Sequence, residues 1–85
     1  MEIIYSDEAI GDRNYWIKSK NKKIQERITA LIDSIEETPF LGIGKPEALK
    51  YNLSGCWSRR INREHRLIYT VSEDFIEILS MRGHY

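Results

Sequence analysis

The sequence predicts an α+β fold: an N-terminal strand, a two-helix hairpin, then an antiparallel β meander. Three observations point to it. A short β-favouring run, Glu2-Ile3-Ile4-Tyr5, opens the chain; a stripe of isoleucines and leucine at helical spacing lies between Ile24 and Ile35; and three β-favouring runs crowd the second half. The helical hairpin is expected to cover one face of the sheet and leave the other open for binding. Eighty-five residues suffice for one domain, spanning residues 1–85, with a modest core.

The first strand stops at Ser6-Asp7-Glu8, where a capping hydroxyl followed by two acids suits a helix N-terminus. From Ala9 to Ile17, the residues Ala9, Ile10, Arg13, Tyr15, Trp16 and Ile17 give an imperfect helical stripe, which the polar Lys18-Ser19-Lys20-Asn21 interrupts. Ile24, Ile28, Leu31, Ile32 and Ile35 then make one apolar helix face. Thr38-Pro39 ends that helix, because the residue before a proline avoids the α region. Phe40 to Pro46, with Gly42, Gly44 and Pro46, has loop composition, and Asn52-Leu53-Ser54-Gly55 marks a second turn. Gly42-Ile43-Gly44 is too short for a phosphate loop and follows no strand. Residues 57–61, 65–71 and 75–81 are the strands of the meander, joined by Asn62-Arg63-Glu64 and Ser72-Glu73-Asp74.

The formal charge is zero, yet it is unevenly spread. Between Lys45 and Arg66 stand Lys45, Lys50, Arg59, Arg60, Arg63 and Arg66 against Glu47 and Glu64, six bases to two acids and so net positive by four. Asp7, Glu8, Asp12, Asp33, Glu36 and Glu37 precede them, so one surface is suited to a polyanion while the rest stays acidic. Cys56 is the only cysteine, which excludes an intrachain disulfide, and no Cys and His cluster has metal-ligand spacing; no metal and no cofactor are expected. With no signal peptide and no apolar run of membrane-spanning length, the expected location is cytoplasmic.

The chemistry-bearing residues of the second half are Glu47, Lys50, Arg59, Arg60, His65, Arg66, His84 and Tyr85. A carboxylate, a histidine and several cations match what metal-free RNA cleavage needs. A base takes the 2'-hydroxyl proton, an acid protonates the leaving 5'-oxygen, and cations stabilise the phosphorane-like transition state. His65, at a strand start, reads as a half-buried histidine bonded to the neighbouring turn. His84 falls on the side of Ser80 and Arg82 if the final strand runs through to the chain end. Arg66 alternates with Ile68 and Thr70, opposite Leu67. Arg59 and Arg60 are adjacent in a strand and point to opposite faces, so at most one joins a given site, and sequence alone does not choose between them.

Thr38-Pro39-Phe40, Gly44-Lys45-Pro46-Glu47-Ala48-Leu49-Lys50, Asn52 to Ile61, Glu64-His65-Arg66-Leu67-Ile68-Tyr69 and the final His84-Tyr85 resemble the YoeB (Txe) family of toxins, within the RelE/ParE superfamily, over essentially the whole chain. The resemblance implies the small RNase-like α+β fold. It also implies cleavage of mRNA in the A site of the 70S ribosome, with a YefM-type antitoxin as repressor, and it allows a homodimer. By that resemblance Glu47 is the general base, His84 the general acid and Arg66 the transition-state clamp, while Lys50 and Tyr85 support the phosphate and substrate; Arg59 and Arg60 are candidate RNA contacts, of which at most one faces the RNA. Cys56 stands where the family allows an aromatic. Gly83 stands where it allows a bulkier residue, which is expected to loosen the terminus. A domain this small holds single-stranded RNA poorly in line, so the ribosome is expected to do the positioning. The rival within the superfamily is a gyrase-binding toxin without nuclease chemistry, against which Glu47, Arg66 and His84 together count.

Overall fold

A computed structural model of the chain describes residues 1–83; the expectations that fall on His84 and Tyr85 lie outside the described residues. Strand β1 (Glu2–Tyr5) leads into helices α1 (Asp7–Lys18) and α2 (Lys22–Glu37). After a loop come β2 (Glu47–Ala48), a 3-10 turn at Tyr51–Leu53, and strands β3 (Trp57–Arg60), β4 (Arg66–Val71) and β5 (Phe75–Ser80). The sheet order is β1-β5-β4-β3-β2, antiparallel throughout except that β1 runs parallel to β5 at the edge. The meander expected from the sequence is thus the centre of the sheet, and the two edges are additions to it.

Local chemistry sets the element boundaries. Ser6 Oγ accepts from the Ala9 N–H (3.0 Å) and donates to the Leu79 carbonyl (2.7 Å), so the same hydroxyl caps α1 and ties its start to β5. Asn21 caps α2 by accepting from the Ile24 N–H at 3.1 Å. Thr38 is extended, at φ −141°, and closes α2 before Pro39 as expected. The buried stripe of α1 is narrower than the sequence suggests, comprising Ala9, Asp12 and Trp16 at steps of three and four, with Ile10, Tyr15 and Ile17 exposed. α2 buries Ile24, Ile28, Leu31 and Ile35.

These residues pack on Leu67, Tyr69, Ile76, Ile78 and Met81, so the core lies between the helices and one face of the sheet. Each such large aliphatic side chain stabilises the fold by about 1.5–3 kcal/mol on burial. In strand register Glu47 faces Ser58, Ser58 faces Ile68, and Ile68 faces Ser80, which draws a row across the opposite face. A bulge between Ile68 and Tyr69 lets Ile78 and Tyr69 stay in the core while Ser80 joins that row. Among the described residues no helix is long and apolar enough to cross a membrane.

Candidate functional site

The open face of the sheet gathers most of the chemistry. Cross-strand partners share a face, so Glu47 stands on the side of Ser58 and Ile68, and two residues further along the same strands Arg60 and Arg66 face each other on that side. From strand spacing the Glu47 and Arg66 Cα atoms are roughly 12 Å apart. Glu47 and Arg60 are exposed and Arg66 is half-buried. Lys50, also exposed, shares a concave surface with Glu47 and Tyr51 beside the 3-10 turn.

Arg66 is firmly held. Its Nη1 donates to the carbonyls of Asn62 (2.8 Å), His65 (3.2 Å) and Arg63 (3.3 Å), all in the loop between β3 and β4. That loop is itself fixed by Asn62 Oδ1, which accepts from the N–H groups of Glu64 and His65. The Arg66 N–H donates to the Gly83 carbonyl at 3.0 Å, so the residue that precedes His84 is anchored beside the Arg66 backbone. His65 is half-buried and bonded to the turn, as its sequence position suggests.

One expectation about the chain end is corrected. β5 stops at Ser80 and does not continue as a strand: Met81 turns into the core, and Arg82 lies over the Tyr15 ring of α1 at 4.0 Å, away from the side on which Ser80 faces Ile68. Gly83 itself is held by the fold, while the expectation that it loosens the terminus falls on residues outside those described. The Gly83 N–H donates to His65 Nδ1 at 2.9 Å, its carbonyl accepts from Arg66, and its φ of +91° is a conformation that glycine adopts without strain.

Of the two candidate RNA contacts, Arg59 is withdrawn from the surface and Arg60 is exposed. Arg59 is fully buried, and each of its five donors is engaged. Nε donates to the Tyr69 hydroxyl (3.1 Å), Nη1 to Ser34 Oγ (2.7 Å) and the Ile43 carbonyl (3.1 Å), and Nη2 to the carbonyls of Thr38 (2.7 Å) and Leu41 (2.8 Å). No basic residue of α2 stands in its own last turn, and Arg59 brings a cation to that negative helix end from β3. The close wrap explains Gly42 and Gly44, at φ +120° and +82°: a Cβ on Gly42 would run into Ser34 Oγ, and one on Gly44 would stand 2.6 Å from Leu31 Cδ2. Tyr69 completes the network by donating to the Pro39 carbonyl at 2.7 Å. Burial pushes its phenol pKa up, against the lowering influence of the Arg59 hydrogen bond and charge.

Sequence reasoning passed over Tyr51, which is 91% exposed at φ +59° next to Lys50. An aromatic held out in a left-handed turn beside a carboxylate and a lysine has the form of a stacking platform. Its only trace in the sequence is a tyrosine ahead of Asn52-Leu53-Ser54-Gly55. The two-residue β2 was also missed, being too short for any periodicity. Among the described residues no group of three or more His, Cys, Asp or Glu is placed to hold a metal ion.

Residues 5–85 match the family described as YoeB-like toxin of bacterial type II toxin-antitoxin system. The chain belongs to this YoeB family. Toxin YoeB of Synechocystis sp. is 56% identical over 85 residues, covering 100% of this chain and 98% of the relative. Toxin YoeB of Escherichia coli (strain K12) is 49% identical over 85 residues, with 100% of both chains covered. Among solved structures, the YoeB/ParE toxin from Agrobacterium tumefaciens has a TM-score of 0.94 at 38% identity over 100% of both chains. The YoeB dimer from Staphylococcus aureus has a TM-score of 0.90 at 45% identity, covering 100% of this chain and 98% of that one. The heterotetrameric YoeB-YefM toxin-antitoxin complex of the same organism has a TM-score of 0.88 at 45% identity, with the same coverage. The chain is therefore the toxin of a type II toxin-antitoxin system, with the α+β fold of YoeB toxins.

Proposed function

We propose that this toxin is a metal-independent endoribonuclease, a single domain over residues 1–85 that cleaves mRNA in the A site of the 70S ribosome and so stops translation in the cytoplasm. The observation that carries the reading is the two-sided sheet. One face is consumed by the core, while the other aligns Glu47, Arg60 and Arg66 on one side, with Gly83 anchored at the edge of Arg66.

The reaction is a transesterification. Glu47 removes the 2'-hydroxyl proton, the 2'-oxygen bonds to phosphorus, and the bond from phosphorus to the 5'-oxygen breaks as His84 delivers a proton to that oxygen. The products are a 2',3'-cyclic phosphate and a 5'-hydroxyl end. Arg66, its Nη1 corner pinned by the loop, presents the rest of its guanidinium fork to the negative charge that builds on phosphorus, a fixed donor that needs no reorganisation during the step. Lys50 and Arg60 bind flanking phosphates, Tyr85 orients the substrate, and Tyr51 offers a base a stacking surface. A face of a few side chains cannot by itself hold single-stranded RNA in line, so the ribosome supplies the positioning and free RNA is a poor substrate.

The partner that holds the toxin silent is a YefM-type antitoxin, a reading supported by the YoeB-YefM complex of a relative at 45% identity. The YoeB dimer of the same species supports a homodimer. The basic open face calls for an antitoxin segment rich in acids and apolar residues, whose capture weakens with salt while its apolar anchoring persists. The test of the activity is 5'-end mapping of a defined mRNA on stalled ribosomes with and without the protein. New ends at the A-site codon are expected, and intact mRNA with unimpaired cell-free translation would overturn the reading.

A further inference from the structure

We propose that Asp12, Trp16 and His65 form a positioning clamp that holds Met81–Gly83 and thereby sets the point from which the terminal His84-Tyr85 pair enters the reaction. The inference rests on the nuclease reading above and adds positioning residues to it. Past Ser80 the chain leaves the β-ladder, and side chains take over the backbone groups the ladder would have satisfied. Asp12 Oδ2 accepts from the Met81 N–H at 2.8 Å, and Trp16 Nε1 donates to the Met81 carbonyl at 2.9 Å, so α1 grips both polar groups of one residue. Asp12 Oδ1 lies 3.7 Å from Arg82 Nε, and the Arg82 guanidinium covers Tyr15. Gly83 is then taken from two sides, by His65 Nδ1 and by the Arg66 N–H.

Chain ends ordinarily fray, because few contacts offset the entropy of ordering them. Here three successive residues are each held by side chains or backbone from elsewhere in the fold, and two of the groups involved, Asp12 and Trp16, are buried. Asp12 is 7% exposed, a carboxylate on the core side of a surface helix. That placement is intelligible once its job is to fix a backbone N–H. His65 is fixed in turn by an edge-to-face contact with Trp16, ring centroids 4.8 Å apart. An Nδ1 that accepts from Gly83 leaves the proton of the neutral ring on Nε2. The clamp reaches from the end of β5 to Arg66 and touches none of the reacting atoms, so these are positioning residues. His65 thus serves the terminal histidine without competing with it for the acid role.

The test pairs variants that separate ring from acceptor. His65→Phe keeps the ring against Trp16 and removes the acceptor; His65→Asn keeps an acceptor oxygen near the Nδ1 position and removes the ring. In ribosome-dependent cleavage His65→Phe is expected to lower kcat by about 10- to 100-fold with KM unchanged, the size of effect that a small misplacement produces. His65→Asn should recover most of the loss. Trp16→Phe, which removes the donor to Met81 together with part of the buried ring, should give the same kcat-only pattern in the folded protein if His65→Phe folds poorly. In the free protein, nitrogen-15 spectra should report an Nε2–H tautomer for His65, and Gly83 amide exchange should be slow in wild type and His65→Asn but fast in His65→Phe. Wild-type kcat in a folded His65→Phe protein with a fast-exchanging Gly83 amide would overturn the clamp. No cleavage by the wild-type protein would overturn the nuclease reading, and with it the clamp's purpose, whatever the amide shows.

Discussion

Arg59 and Arg60 are neighbours in one strand and chemically identical, yet they belong to different halves of the molecule. Arg59 points into the helix-covered side, where five hydrogen bonds stitch the end of α2, the loop of residues 38–43 and Tyr69 together. Arg60 points to the open side, exposed, opposite Arg66. The contrast shows that a basic run read from sequence is not a basic surface. Strand alternation halves it, and the buried half does structural work because a guanidinium is the one side chain with enough donors to satisfy a helix end and a loop at once.

The largest expected effect is on the buried side. Arg59→Ala strands several carbonyls without donors, each costing about 1–3 kcal/mol, in a domain whose total stability is on the order of 5–15 kcal/mol. Urea unfolding should show a loss of at least about 4 kcal/mol, with cleavage lost through unfolding. A variant as stable as wild type would mean that the network is ornamental.

On the open side the pattern should reverse. Glu47→Gln removes a proton acceptor with almost no change in shape, so cleavage should fall by about 10²–10⁴-fold while stability stays within about 0.5 kcal/mol. Arg66→Ala should fall by roughly 10²–10³-fold. Ribosome association measured alongside should persist in both. Wild-type rates for Glu47→Gln would end the base assignment.

Between these extremes lies Tyr69, whose effect is confined to alkaline solution. Its phenol pKa is raised on folding by burial, so the native state holds that proton more tightly than the unfolded chain. The stability this contributes is complete below the unfolded value of about 10 and is lost as pH rises from there through the higher folded value. Unfolding followed across that window should show wild type weakening, and a Tyr69→Phe protein, less stable at neutral pH, should lack this component of the decline. The smallest effect belongs to Arg60→Ala. Stability should not change, cleavage should drop a few-fold, and the salt slope of RNA binding should shrink by about one phosphate contact.

The strongly periodic parts of the fold were legible in the sequence: the α2 stripe, the Ser6 cap, the Thr38-Pro39 stop and the three meander strands. The parallel pairing of β1 with β5 was not, because a four-residue apolar run carries no sign of its partner. β2 has two residues and no period at all. The candidate site divides in the same way. Glu47, Lys50, Arg60 and Arg66 could be named from residue type and family resemblance, and alternation correctly put Arg66 opposite Leu67. Alternation could not say which of Arg59 and Arg60 is buried, because that depends on α2 ending against β3, a contact between residues 21 positions apart. Asp12 looked like surface acid for a related reason: its partner, the Met81 N–H, is 69 residues away.

The most direct measurement compares the full chain with a protein ending at Gly83, by thermal unfolding and by 5'-end mapping of mRNA on stalled ribosomes. Removing His84 and Tyr85 leaves every described hydrogen bond of Met81–Gly83 available, so melting should be little changed. If His84 is the acid, as proposed, cleavage at the A-site codon should disappear because the leaving 5'-oxygen then has no proton donor. A shortened protein that melts like wild type and still cuts at the wild-type rate would remove the terminal pair from the chemistry.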